Sequence, residues 1–289
     1  LRNFHALMLG ILNYKFVKNL KYEKNEIKKA FSWHENHELR GWNLGFRTFL
    51  PNVKTFGYQG FTTLPPLMNA IPTKYEEKFK VIPEILIVIS KYYKKTIKEF
   101  NKKLTIKVGP ALIYRNIFKK FKKKNNIKFL VVLNEFLSTN KNILDWIKYI
   151  DNHDLGIVFY IKKPKILDMS HYISLNRNRK NIIFTDEFLP DLLKQSQFVI
   201  TSGLGLSSVA LEALAYGCKL IIPFIEPYDK EFFKILNVKK KYFKVFMKKK
   251  DLLSFLKNNR NISKSLITTK DIQNIQKKYF NIGNEKIFT

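Results

Sequence analysis

The most regular pattern of apolar and polar positions begins at residue 127. Short apolar runs there alternate with stretches in which apolar side chains recur every three or four positions. This predicts strands at 127–133, 156–161, 181–184, 197–201 and 218–223, with helices at about 140–151, 187–195 and 207–216. Strands spaced by helices of that length predict βαβ units, a parallel sheet and right-handed crossovers. Residues 230–289 read as mostly helical and basic. Upstream the pattern is sparser. Residues 53–59 read as a strand closing on Gly60, 61–72 as a proline-containing loop, and 85–89 as the continuous apolar run of a buried parallel strand. A Lys-rich helix and a strand at 104–108 follow, ended by Gly109-Pro110, so residues 1–118 offer about three strands. Residues 6–12 are expected in the core, and 14–30 show apolar positions at helical spacing. The charge run 119–126 is expected to link a first domain, 1–118, to a second, 127–289.

Composition narrows the classes. A chain of 289 residues that is 45% hydrophobic can bury a core, which excludes a disordered basic tail. Its single cysteine, Cys218, excludes a disulfide framework and a cysteine-based zinc site, and no apolar run reaches the length of a membrane span. Residue 1 is Leu, so the sequence is expected to begin inside a longer one. The net charge of +30 fits nucleic acid, an anionic membrane surface or a phosphate-rich ligand. The abundance of Asn, Ile, Phe and Tyr beside Lys matches AT-biased coding, which accounts for part of the excess without any partner.

The segment 198–217 is the strongest chemical signal. A strand ending at Thr201 leads into a turn with Ser202, Gly203 and Gly205, and a helix opens at Ser207-Ser208 and stops at Gly217, a suitable C′ glycine. Glycines let a backbone approach a ligand, a helix start points free N–H groups at it, and the serines add hydroxyl donors. Glu212, one turn after Ser208, lies on the same helix face, where a carboxylate accepts hydrogen bonds from a ribose diol. The alternative is that Ser207 is an N-cap and Glu212 a solvated helix residue. The glycine spacing matches neither a dinucleotide-binding fingerprint nor a Walker loop.

The second cluster is Trp33-His34-Glu35-Asn36-His37-Glu38. If helical, it makes Glu35 and Glu38 i,i+3 neighbours, so that one carboxylate raises the pKa of the other. Glu35 is the first choice for a general base, with Glu38, His37 and His34 behind it. The alternative is a polar surface helix. Histidines three apart with no third ligand do not make the His-Glu-x-x-His zinc pattern. Tyr58 and Gln59, at a strand end, and Glu226, just past a strand end, are further candidates to touch a ligand.

Residues 202–223, Ser-Gly-Leu-Gly-Leu-Ser-Ser-Val-Ala-Leu-Glu-Ala-Leu-Ala-Tyr-Gly-Cys-Lys-Leu-Ile-Ile-Pro, resemble the donor-site helix and next strand of GT-B glycosyltransferases. The Ser-Ser start is closer to bacterial transferases that build capsule and lipopolysaccharide, including those using CMP-activated acidic sugars. Where such enzymes carry a His-Pro pair, this chain has Lys163-Pro164, and a lysine there would reach a phosphate or carboxylate. Weaker likenesses at 56–60 and 107–113 extend the resemblance over about 31–225. It implies an α/β, GT-B-like fold of two Rossmann-like domains facing across a cleft, the N-terminal one short of strands. It also implies a metal-independent glycosyltransferase with no cofactor beyond its nucleotide-sugar co-substrate. The donor expected first is a CMP-linked acidic sugar such as sialic acid or Kdo, with UDP- and GDP-sugars as alternatives. The acceptor would be a bacterial surface glycan or glycolipid, and the enzyme would sit peripherally on the inner face of the cytoplasmic membrane. The competing readings are a basic nucleic-acid-binding protein and a non-catalytic sugar-nucleotide-binding subunit.

Overall fold

The computed structural model describes residues 2–20, 27–35, 37–62, 71–135, 137–165, 168–170, 173, 178–201, 208–223, 239–258 and 267–283. The chain divides into two units, one of residues 1–115 and 277–289 and one of residues 116–276.

The first unit is built from α1 (Arg2–Leu20), β1 (Lys29–Trp33), α2 (Leu39–Phe49), β2 (Lys54–Gln59), α3 (Lys74–Lys78), β3 (Ile85–Val88), α4 (Lys91–Phe100) and β4 (Thr105–Val108). Its four strands pair in parallel in the order β1-β2-β3-β4, with Phe31 opposite Phe56 and Ile85 opposite both Phe56 and Thr105. β3 is buried at all four positions, as its unbroken apolar run requires of an interior strand. α4 begins where Ser90 Oγ accepts the Tyr93 N–H at 3.3 Å, and it buries Tyr93 and Ile97, one turn apart, while lysines take much of the remainder.

Two expectations fail in this unit. β1 takes Lys29 and Ala30 out of the stretch read at helical spacing and runs on to Trp33; five residues with one buried side chain, Ala30, leave too short an alternation to compete with the lysine spacing. Residues 6–12 are not core: apolar positions lie on more than one side of α1, and one face is covered. That face meets α2 closely, because a Cβ on Gly41 would lie 1.8 Å from the Gly10 carbonyl oxygen and one on Gly45 would lie 2.8 Å from Val17 Cβ. Val17 is accordingly fully buried, whereas Leu7 is 60% exposed.

The second unit contains β5 (Ile127–Val132), α5 (Leu137–Asp151), β6 (Phe159–Lys162), β7 (Ile182–Thr185), α6 (Leu189–Gln195), β8 (Ser196–Thr201), α7 (Val209–Ala215), β9 (Lys219–Pro223), β10 (Phe243–Phe246) and α8 (Lys249–Asn258), while α9 (Thr269–Tyr279) crosses the division at its end. The sheet order is β10-β9-β8-β5-β6-β7, and every pairing is parallel. Phe129 on β5 faces Phe159 and Phe198 on its two neighbours, with ring centroids 5.8 and 5.4 Å apart. Ile143 and Ile147 of α5 and Leu252 and Leu256 of α8 complete this core. The strand missed in the sequence is β10, a four-residue edge strand carrying exposed Lys244 inside a basic stretch.

The boundaries also shift. The division falls at Arg115/Asn116, and residues 277–283 return to the first unit rather than staying with 127–276. Asn281 explains the return: its carbonyl accepts the Ala111 N–H at 2.8 Å and its amide donates to the Gly109 carbonyl at 3.0 Å. The charge run 119–126 is a built-in part of the second unit. Lys123 Nζ donates to the carbonyls of Leu193 and Tyr216 at 2.7 and 3.0 Å and lies 3.0 Å from Cys218 Sγ, and the Lys124 N–H meets the Lys194 carbonyl.

Candidate functional site

In the second unit the chain runs outward from β5 to β6 and β7 on one side and, by way of β8, to β9 and β10 on the other. The reversal lies between β5 and β8. The carboxyl ends of the strands at such a switch point are where open parallel sheets bind ligands. β8 ends at Thr201 at that edge, and α7, which opens after Ser208, carries Glu212. Ser202, Gly203, Gly205 and Ser207 lie outside the described residues, as does Glu226.

Ser208 takes helical backbone angles at the start of α7, and its hydroxyl makes no capping bond. Ser208 Oγ donates instead to Glu212 Oε1 at 3.1 Å. Of the sequence alternative, the capping Ser207 lies outside the described residues, while Glu212 is not the solvated residue it required. Loss of water around the Glu212 carboxyl pushes its pKa up to about 7, against the lowering effect of the Ser208 hydroxyl. Behind it stands Tyr216, whose hydroxyl is buried without a hydrogen-bond partner among the described residues. α7 closes as expected: Gly217 has φ +77°, and the Cys218 N–H reaches back to the Ala213 carbonyl at 2.8 Å. A carboxyl deprived of water beside a hydroxyl is a site prepared for further hydroxyl donors.

Lys163 follows β6, which β5 separates from β8. It pairs with Asp186 at 2.7 Å and lines a pocket of about 470 Å³ with Lys162, Lys165, Asp168 and Ser170. Lys162 Nζ donates to the Asp186 carbonyl at 3.0 Å. The sequence reading passed over the loop after β5, at the switch point itself. There the Asn140 side chain accepts the Asn134 N–H at 2.9 Å and donates to the Asn134 carbonyl at 2.7 Å, clamping the loop. A polar Asn134-Glu135 directly after an apolar strand was the available signal.

In the first unit, Glu35 and Glu38 do not share a helix. Glu35 leaves the end of β1, and Glu38 stands at the start of α2, with its carbonyl accepting from Asn13 Nδ2 at 3.0 Å. Burial, not a second carboxylate, pushes the Glu35 pKa up to about 7, opposed by backbone N–H groups including that of Phe61, which donates to Glu35 Oε1 at 3.0 Å. Glu35 Oε2 is buried and has no hydrogen-bond partner among the described residues.

The other members of this cluster are occupied differently. His34 is fully buried, with Arg40 donating to its carbonyl at 2.8 Å and lying 3.5 Å from Nδ1; burial first and the Arg40 charge second hold its pKa well below the usual value. An enclosed imidazole whose pKa is held low is a weak base out of reach of an incoming hydroxyl. His37 is exposed. Tyr58 is committed to structure: its hydroxyl donates to the Pro110 carbonyl at 2.8 Å and accepts the Leu112 N–H at 3.0 Å. Gln59 is buried next to it. Among the described residues no group of three or more His, Cys, Asp or Glu side chains is placed to hold a metal ion.

No protein-family model matches the chain, and no curated protein matches it. Solved structures do. The chain is similar to the glycotransferase of kitacinnamycin, with 11% identity over 91% of this chain and 75% of that one, at a TM-score of 0.56. It is similar to the pneumococcal O-GlcNAc transferase GtfA in complex with UDP and GlcNAc, with 12% identity over 91% of this chain and 56% of that one, at 0.54. An Arabidopsis thaliana protein complexed with quercetin matches at 10% identity over 93% of this chain and 70% of that one, also at 0.54. The fold is therefore that of GT-B glycosyltransferases: two α/β units, each on a parallel sheet.

Proposed function

We propose that the protein is a glycosyltransferase that moves a sugar from a nucleotide-activated donor to a hydroxyl of a glycan acceptor. The observation that carries this reading is the Ser208–Glu212 pair after β8, with a carboxyl whose pKa is raised to about 7 by loss of water. A ribose diol supplies the two hydroxyl donors that such a carboxylate lacks, and Lys163 and its neighbours supply positive charge at the same sheet edge. The fold shared with the kitacinnamycin glycotransferase and the pneumococcal transferase supports the same reading.

Glu35 is assigned the general base. A carboxylate with a pKa near 7 is ionised in part at neutral pH and holds a proton well enough to take one from an acceptor hydroxyl. As that proton passes to Glu35, the acceptor oxygen bonds to the anomeric carbon and the bond from that carbon to the nucleotide phosphate breaks, releasing the nucleotide. No residue of this scheme requires a metal. The acceptor we favour is a bacterial surface glycan or glycolipid, on the resemblance of residues 202–223, with the protein peripheral to the cytoplasmic membrane.

The test is release of free nucleotide from CMP-, UDP-, GDP- and ADP-sugars. Slow release from one of the four is expected from the wild type, abolished by Glu212→Ala. Release from none, together with no nucleotide binding, would sink the proposal. Binding without release would favour the non-catalytic subunit.

A further inference from the structure

Beside Glu35, the carboxyl edge of the first sheet carries three aromatic rings in succession. Trp33, the last residue of β1, lies opposite Tyr58 on β2, and their rings meet edge to face with centroids 5.3 Å apart. Trp33 meets Phe61 in the same manner at 5.7 Å. Tyr58 is the inner end of the row, buried and held through its hydroxyl by the Pro110 carbonyl and the Leu112 N–H. Phe61 is the outer end and is 48% exposed. Gly60 lets the indole lie against the backbone between them, since a Cβ there would come within 2.5 Å of Trp33 Cη2 and 2.7 Å of Tyr58 Cε1.

Phe61 is thus an exposed ring fixed from two directions. Its ring rests against Trp33, and its backbone N–H donates to Glu35 Oε1 at 3.0 Å. The second carboxyl oxygen, Glu35 Oε2, is buried without a hydrogen-bond partner among the described residues. A rigid apolar face with an unsatisfied carboxyl oxygen at its rim, at the edge where parallel sheets take ligands, suits a molecule that is apolar on one face and rich in hydroxyls around its edge. A pyranose has that shape. Its axial C–H bonds pack on an aromatic ring, while an equatorial hydroxyl reaches the rim and donates to a carboxylate. An acyclic polyol has the hydroxyls but no ring face to lay on Phe61.

We propose that Phe61, braced by Trp33 and Tyr58, is the platform on which a pyranose ring of the acceptor lies, so that the hydroxyl receiving the new bond belongs to a sugar and not to an acyclic polyol. The delivery of that hydroxyl to Glu35 rests on the reading of Glu35 as the base, whereas the stacking does not. The test is saturation-transfer difference NMR of the full chain with the methyl glycosides of glucose, galactose and N-acetylglucosamine, compared with ribitol, glycerol and free cytidine and uridine. Transfer to the ring C–H protons of at least one glycoside is expected, and none to the polyols. Phe61→Ala should weaken the binding at least about tenfold and Phe61→Tyr, which keeps a ring, by no more than about twofold. Gly60→Ala should weaken it too, because the methyl displaces Trp33 while Phe61 is kept. Binding of no glycoside, equal binding of the polyols, unchanged binding by Phe61→Ala, or a nucleoside lost from Phe61→Ala in place of the sugars would overturn the proposal. Isothermal titration of nucleotides keeps the two readings apart: glycoside binding with no nucleotide bound would strike the donor site and leave the platform standing.

Discussion

Replacing Glu212 by Gln tests the donor site through its own physical cause. The carboxyl has an ordinary pKa of 4.5 in the unfolded chain and about 7 in the folded one. Below pH 4.5 both states are protonated and the group contributes nothing. Between 4.5 and 7 the unfolded chain releases a proton that the folded chain retains, so stability falls as pH rises, and above 7 the loss is complete. At 1.36 kcal/mol per unit the loss is about 3 kcal/mol. Gln keeps an acceptor for Ser208 Oγ, 3.1 Å from Glu212 Oε1 in the wild type, but carries no charge. The variant should therefore gain on the wild type by about 3 kcal/mol between pH 4.5 and 8, or roughly 6–12 °C in the melting temperature of a unit of this size. The assay is paired thermal unfolding across that range, with and without nucleotide. Nucleotide should stabilise the wild type more at pH 8 than at pH 6, because hydroxyl donors favour the ionised form, and should not stabilise the variant. Parallel stability profiles for the two proteins would refute the claim that this carboxyl is held away from water.

Two other outcomes follow from the first unit. Glu35→Gln should abolish sugar transfer while leaving nucleotide affinity unchanged, and wild-type turnover should fall as pH drops below about 7, where the base is protonated; unchanged turnover in the variant would remove Glu35 from the mechanism. Gly41→Ala would put a methyl 1.8 Å from the Gly10 carbonyl oxygen, forcing α1 off α2 at a cost of about 1–3 kcal/mol, read as a lower urea midpoint; an unshifted midpoint would mean that the two helices are not in contact there.

What could be read from the sequence follows from burial. In the second unit, strands such as Ile127–Val132 and Ser196–Thr201 are interior, so each carries an unbroken apolar run, residues 129–132 and 198–200, that stands out against amphipathic helices. The edge strands β1 and β10 escaped because exposed positions, Lys29 and Lys244 among them, are filled by lysines that erase the contrast. The tight contact of α1 with α2 depends on Gly10, Gly41 and Gly45, whose meaning lies in what faces them. Glu212 and Ser208 were legible because one turn of helix fixes their separation. Glu35 was singled out for the wrong cause: the carboxylate pair needed a helix, and the chain makes a strand end there, where burial raises the pKa instead. Tyr58 looked available at a strand end, but its hydroxyl satisfies two backbone groups more than fifty residues away, which no local pattern records.

Recognition of a nucleotide by the second unit would run through Ser208 and Glu212. Isothermal titration of CMP, UDP, GDP and ADP into the wild type, the Ser208→Ala/Glu212→Ala double variant and Glu35→Gln tests it most directly. Saturable one-to-one binding of at least one nucleotide is expected, lost in the double variant and intact in Glu35→Gln. Absence of binding by all four nucleotides, or equal binding by the double variant, would contradict it.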